Sequence, residues 1–241
     1  MAREPERSDM SNLRPTVEVN PSAETITALA ARPDPNAIIM LNLLRFNQPD
    51  GMDAYARYGR SIVGASRTRG SRAAYTAAAT DANGPWDRVT LVRYPRRAAY
   101  LDLQADPAYR GAVIHRTEAL AARLLYVFHD PSGDPDREFD VAAHGDEAFV
   151  VSVIRFVDGA VPADWEPPPN VALDLEADHA MVSDGLWHRL VVARYESVDA
   201  AQAHDSRRDP MVADAIDVLT QPAPWPFSLD VSGGPAQDQK R

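Results

Sequence analysis

The chain has 241 residues, 45% of them hydrophobic and 25% charged, a balance typical of a globular protein with a sizeable core. Its net charge of −10 argues against a nucleic-acid partner, which needs a clustered positive surface. The absence of cysteine excludes disulfides, thiolate metal sites and a cysteine nucleophile.

Residues 1–20 are charged and aperiodic, without the apolar core of a signal peptide, and are expected to be disordered. No run approaches the roughly 20 apolar residues of a membrane helix, so the expectation is a cytoplasmic protein with no membrane partner. Residues 21–35 read as a short helix and linker: Ser22 opens it, Ile26, Leu29 and Ala30 share a face, and Pro33 ends it. Ile38–Phe46 is an apolar run of strand length. After the turn at Asp50-Gly51, residues 52–66 show helical spacing through Met52, Tyr55 and Ile62. Residues 73–80 form a weaker strand, the Asp81–Pro85 segment a turn, and residues 87–94 a strong strand. A helical stretch over 97–122, interrupted near Pro107, leads to a closing strand over 124–129.

The second part of the chain repeats the first. Trp86-Asp87-Arg88 with Arg93-Tyr94 reads against Trp187-His188-Arg189 with Arg194-Tyr195, and apolar residues lie between in both. Each match precedes a helical segment carrying Asp-Pro, at Asp106-Pro107 and Asp209-Pro210. Upstream, Ile38–Phe46 and Phe149–Phe156 both end in Arg-Phe. Residues 157–170 are too proline-rich for the helix this pattern calls for. The predicted class is α+β: two tandem ferredoxin-like units, 36–130 and 147–231, joined by a linker at 131–146 and followed by a tail at 232–241. Their antiparallel sheets are expected to close on each other as an intramolecular barrel.

Met40-Leu41-Asn42-Leu43-Leu44-Arg45-Phe46, Ala54-Tyr55-Ala56-Arg57-Tyr58, Trp86-Asp87-Arg88 and Asp106-Pro107-Ala108-Tyr109 together resemble the DUF1330 family. The resemblance covers about residues 36–129 and reaches 147–231 through the repeat. It implies the dimeric α/β-barrel superfamily, whose members pair two sheets face to face and use the space between them. Those members include cofactor-free monooxygenases, polyketide cyclases, muconolactone isomerase-like enzymes and haem proteins of the chlorite dismutase type. A tandem copy implies a monomer with an internal pseudo-dimer, or a homodimer of such chains.

Polar residues on otherwise apolar strands are the candidates for chemistry, because strand residues alternate between the two faces. Asn42, flanked by Leu41 and Leu43, either points a hydrogen-bonding group into the barrel cavity or bonds to neighbouring backbone. Tyr75 offers a phenol to the same cavity. His115, which has no counterpart in the second copy, is the candidate acid–base group or a haem ligand; a surface histidine is the plainer alternative. Arg88, Tyr94, Tyr55 and Tyr58 are the candidate substrate-binding side chains. Asp174, Glu176 and Asp178 fall on one strand face and are read as a solvated edge, so no metal is assigned. The expected function is an enzyme without an organic cofactor, of isomerase, cyclase or monooxygenase type, acting on a small apolar or aromatic ligand. A non-enzymatic ligand-binding or stress-related module and a haem-binding protein are the alternatives.

Overall fold

A computed structural model of the chain describes residues 18–33, 36–81, 84–130, 139, 141, 146–183 and 185–223. The sequence expectations for 1–17, for the tail and for most of the 131–146 linker lie outside the described residues. Helix α1 is Ala23–Ala30, capped by Ser22, whose hydroxyl accepts from the Thr25 amide. Strand β1 (Ile38–Phe46) leads to α2 (Gly51–Thr68), β2 (Arg72–Ala79), β3 (Arg88–Tyr94), α3 (Arg97–Ala105), α4 (Pro107–Ala119) and β4 (Leu120–His129). Then follow β5 (Ala148–Phe156), β6 (Val171–Val182), β7 (Arg189–Tyr195), α5 (Val198–Ala201), a single 3-10 turn (Ser206–Arg208) and β8 (Val212–Pro222). No described helix is long and apolar enough to cross a membrane.

Asp106 divides the stretch expected as one interrupted helix. Its carboxylate accepts from the amides of Ala108 and Tyr109, and Pro107 occupies the first turn, so α4 starts afresh with its own cap. The strand β4 starts at Leu120, earlier than the sequence pattern places it, because pairing with β1 takes over directly from the helix. Gly51 is demanded by crowding: a Cβ there would sit 2.5 Å from the Ala119 carbonyl oxygen.

The eight strands pair antiparallel throughout and close into a barrel in the order β1-β3-β2-β8-β5-β7-β6-β4. Within it, β4-β1-β3-β2 and β8-β5-β7-β6 run in the same order. Registers match as well: Ile38 faces Tyr94 and Leu44 faces Arg88, while Ala148 faces Tyr195 and Ile154 faces Arg189. Each central strand has an irregularity just before its terminal phenylalanine, Phe46 or Phe156. Asp87 Oδ2 accepts the Phe46 amide, and His188 Nδ1 accepts the Phe156 amide at the corresponding place. This gives His188 a structural task.

Alternation sorts the side chains into two layers. Ile39, Leu41, Leu43, Phe149, Val151 and Val153 point into the barrel, where they pack with Trp86, Trp187 and residues of the other strands as one apolar core. An eight-stranded barrel is just wide enough to be filled this way. Ile38, Met40, Leu44 and Phe46 point outward and are covered by α2, α3 and α4.

Three expectations are corrected. Asp209-Pro210 lies in no helix; Asp209 instead accepts the Met211 amide and turns the chain into β8. The helix expected after β7 is reduced to α5 and the 3-10 turn, because His204 and Ser206 are drawn onto Tyr195, Ser152 and Asp217. The acidic row on β6 is not a solvated edge, since a closed barrel leaves β6 paired on both sides. Asp178 there bridges Arg32 and Arg97 at 2.7 Å each, Asp174 faces Arg189, and Glu176 faces His129.

Candidate functional site

The outward face of β1, β3 and β4 and the helices above it enclose a cavity of about 70 Å³. Asn42 is on its floor, not in the barrel interior, because the face it shares with Met40 and Leu44 is the one covered by helices. Its Oδ1 accepts from Nε (3.1 Å) and Nη2 (2.5 Å) of Arg123 on β4, and its Nδ2 donates to the Met40 carbonyl at 3.3 Å. Arg123 Nη1 donates to the Val19 carbonyl. Val19 and Asn20, placed by sequence in the disordered segment, thus serve as hydrogen-bond partners of Arg123 and Arg116.

Tyr55 and Tyr58 of α2, Tyr94 of β3, Tyr100 of α3 and Tyr109 of α4 line the cavity. Edge-to-face contacts hold them: ring centroids are 5.3 Å apart for Tyr55–Tyr58, 5.3 Å for Tyr94–Tyr100 and 6.2 Å for Tyr58–Tyr109. Behind Tyr58 and Tyr109 lies Arg116, only 1% exposed. Its Nε and Nη2 donate to the Asn20 side-chain oxygen at 2.9 and 2.6 Å. Its Nη1 donates to the phenol oxygens of Tyr58 (3.0 Å) and Tyr109 (2.6 Å).

Tyr109 differs from its neighbours electrostatically. Burial pushes Tyr55, Tyr58, Tyr94 and Tyr100 above the ordinary phenol value of 10.0. Burial acts on Tyr109 too, but the Arg116 and Arg123 charges and hydrogen bonds from Arg116 and Tyr58 outweigh it, and Tyr109 ends below 10.0. The Gln104 amide also donates to its oxygen at 2.8 Å. Donors converge on that oxygen, an arrangement suited to the phenolate. Arg116 stays firmly protonated: burial works against its charge, and Tyr58 and Tyr109 more than offset it.

One polar group in the wall has no partner. The Thr90 hydroxyl, on a residue 4% exposed, lines the cavity and makes no hydrogen bond. Leaving such a group unsatisfied costs about 1–3 kcal/mol.

Of the residues singled out by sequence, Asn42, Tyr55, Tyr58 and Tyr94 meet in this cavity. The other three lie elsewhere. Tyr75 faces the apolar barrel core, where its hydroxyl is 2.7 Å from Thr220 Oγ1 and its ring packs edge-on against Phe149. Arg88 is buried beside the cavity; it donates to Thr76 Oγ1 and the Ala223 carbonyl, and burial lowers it to about 10. His115 is on the outer side of α4, its side chain 39% exposed and 3.8 Å from Glu118. Nor does His115 fit the role of haem ligand: it lines no described cavity, and the one near α4 is far too small for a macrocycle. Among the described residues no three His, Asp or Glu side chains gather as a metal site.

Tyr109, Arg116, Arg123 and Tyr100 were missed by sequence reasoning. A signal for two of them exists: the buried face of α4 is Tyr109, Ala112, Arg116 and Ala119, so an arginine lies inside a helical apolar stripe. His115 is one position off that stripe. In the second half the place of Asn42 is taken by Ser152 and that of Tyr94 by Tyr195. Tyr195 OH is 2.6 Å from His204 Nδ1, while His204 Nε2 lies 3.2 Å from Ser152 Oγ and 3.0 Å from Ser206 Oγ. The Ser206 hydroxyl donates to Asp217 at 2.7 Å, completing a polar network among these side chains.

No family model matches the chain, and no curated protein matches it. Among solved structures, a protein of unknown function from Rhodopseudomonas palustris is 31% identical over 46% of this chain and 94% of its own, with a TM-score of 0.42. An anthrone oxidase-like protein is 12% identical, covering 79% of this chain and 94% of its own, with a TM-score of 0.54. Chlorite dismutase from Candidatus Nitrospira defluvii is 11% identical, covering 77% of this chain and 91% of its own, with a TM-score of 0.43. With its closed barrel of eight antiparallel strands, the chain has an α+β fold similar to that of the anthrone oxidase-like protein.

Proposed function

We propose that the chain is a small-molecule enzyme whose site is the cavity under α2, α3 and α4, with Tyr109 as the base that takes a proton from carbon. The observation that carries this is the Tyr109 oxygen, 2.6 Å from a fully buried guanidinium and held below its ordinary proton affinity in the cavity wall. Proton abstraction leaves a carbanion or enolate. Reprotonation at another carbon makes the reaction an isomerisation, attack on a second carbonyl a cyclisation, and reaction with dioxygen a monooxygenation. The base is the protein's own, so this reading asks for no organic cofactor. The anthrone oxidase-like fold neighbour points to carbon acids as the class to assay. A cavity of about 70 Å³ makes small molecules the first to assay.

The test is hydrogen–deuterium exchange at carbon in deuterated buffer, followed by NMR over a panel of small enolisable ketones, diketones and oxo acids. Wild-type protein is expected to accelerate exchange on at least one, Tyr109→Phe to abolish it, and His115→Ala to retain it. No acceleration over the whole panel, or full activity in Tyr109→Phe, overturns the assignment. Saturable binding without exchange would instead identify a non-enzymatic ligand-binding module.

The strand sets β1–β4 and β5–β8 are, in the same proposal, tandem copies of one ferredoxin-like unit of DUF1330 type. Their equal strand order, equal register and equivalent capping of Phe46 and Phe156 support it. A single chain then makes the barrel that two subunits make elsewhere. Native mass spectrometry is expected to give one chain per particle; an obligate dimer that unfolds on dilution would count against it.

A further inference from the structure

We infer that Thr90 is the hydrogen-bond donor to the substrate's oxygen, so that the carbon acid this cavity takes is one activated by a carbonyl group. The inference rests on the reading of this cavity as the functional site and adds the group that receives the charge formed there.

The Thr90 hydroxyl is a donor in the cavity wall with no hydrogen-bond partner, on a residue 4% exposed. Its neighbours on the sheet do not satisfy it. β3 lies between β1 and β2, and Thr90 faces Asn42 on one side and Thr76 on the other. Asn42 gives its oxygen to Arg123 and its amide to the Met40 carbonyl, while Thr76 Oγ1 accepts from Arg88. Ser71, also in the wall, donates to the Ser66 carbonyl. Among the described residues, the Thr90 hydroxyl is the one buried polar side-chain atom of this wall left open.

The second half of the chain shows what the sheet alone needs at this position. Ser152 faces Val191 in the β5–β7 pair as Asn42 faces Thr90 in the β1–β3 pair, so Val191 stands where Thr90 stands. Val191 is fully buried in an apolar cluster. Valine has the shape of threonine, so strand pairing and packing are served without the oxygen. The hydroxyl is found on the half that has the tyrosine-lined cavity, where a ligand oxygen completes its bonding and an apolar ligand leaves it orphaned. A carbonyl oxygen is the acceptor that the reaction itself supplies. When Tyr109 takes the proton from the neighbouring carbon, the C–H electron pair becomes the C=C bond and the carbonyl π pair moves onto oxygen. Thr90 keeps its own proton and donates it in a hydrogen bond that strengthens as that oxygen turns negative, which favours the transition state over the bound ketone. Tyr109 returns the proton to carbon in the reverse step.

Thr90→Val and Thr90→Ser in the full chain test this with acetone and isobutene, two probes of one shape that differ in the oxygen. Methyl NMR signals of Met40, Ile62 and Val92 in the cavity wall read occupancy. Acetone is expected to bind wild type saturably, to weaken by roughly fivefold in Thr90→Val, and to keep its affinity in Thr90→Ser. Isobutene is expected to bind Thr90→Val at least as well as it binds wild type. In the exchange assay Thr90→Val is expected to lower kcat by about 100-fold while KM rises only by roughly fivefold, and Thr90→Ser to keep most of the rate. No saturable acetone binding, acetone binding undiminished in Thr90→Val, or an equal loss for both probes overturns the inference. The two readings fail separately. Exchange that depends on Tyr109 and is unchanged in Thr90→Val ends this inference and leaves Tyr109 as base. Acetone binding that depends on Thr90, with no exchange on any carbon acid, does the reverse.

Discussion

Replacing Asp217 by asparagine tests whether the second half is held together by a charge. Asp217 lies on β8, its side chain 15% exposed, and accepts from both the amide (3.0 Å) and the hydroxyl (2.7 Å) of Ser206. Burial alone would raise its carboxyl, but hydrogen bonding with His204, Ser152 and Ser206 brings it from 3.8 down to about 2. At 1.36 kcal/mol for each tenfold change in proton affinity, that depression stabilises the fold by about 2 kcal/mol. The folded value lies below the unfolded one, so the contribution is complete above about pH 4 and is lost as pH falls through about 2. Asp217→Asn, which mimics the protonated acid, should lose about 2 kcal/mol at neutral pH, seen as a Tm lower by roughly 4–8 °C. Urea titrations at neutral pH and near pH 2 measure the gap between wild type and variant, which should narrow as the wild-type carboxylate is protonated. A gap of equal size at both pH values would show that shape, not charge, matters at this position. No gap at all would mean that the network is idle.

Four further outcomes are expected. Tyr75→Phe removes the bond to Thr220 at the short β2–β8 seam, where Ala77, Ala78 and Ala79 pair with β8; it should cost about 1–2 kcal/mol in urea and speed amide exchange at those strands. Thr90→Val replaces an orphaned hydroxyl by a methyl of the same shape and should leave thermal stability equal or raise it by up to about 1 kcal/mol; a clear fall in Tm would show that Thr90 has a partner after all. Arg97→Met breaks the bridge to Asp178, both side chains being 8% exposed, and should cost about 3 kcal/mol with little relief from added salt. By contrast the exposed His129–Glu176 pair should contribute at most about 0.5 kcal/mol, measurable by His129→Ala.

The strands were readable because each is a short apolar run bounded by turn residues, and α4 because Asp106-Pro107 is a cap written in the sequence. What the runs do not encode is which face meets the helices. β1 is buried on both sides, with Arg45 its only exposed residue, so the alternation that normally separates core from outside is missing. Asn42 was therefore readable as a polar residue in a buried strand, but not as one under the helices. Arg116 was hidden for another reason. In a chain whose only lysine is Lys240, arginines are everywhere, and one inside a helical stripe stands out only when the stripe's period is counted. The helices expected in the second half and not formed there divide the same way. Pro162, Pro167, Pro168 and Pro169 announce the first loss in the sequence. The second depends on His204 reaching Tyr195 and Ser152, contacts between segments that no local pattern reveals.

A filled barrel interior decides where chemistry can occur. The described residues of the two inner faces pack against each other as one apolar core. The proposed site is on the outer face instead, where α2, α3 and α4 shield it from water. Among the described residues the first strand set is covered by α2, α3 and α4; the second has Tyr195, His204, Ser206 and Asp217 in the equivalent place, which hydrogen-bond one another. One consequence follows for mutations. Changes at the barrel seam, such as Tyr75→Phe, act on stability and should leave the Tyr109 site as it was. Changes on the inner face of α4 act on the site and should leave strand pairing intact, so the two classes should combine additively in a double variant.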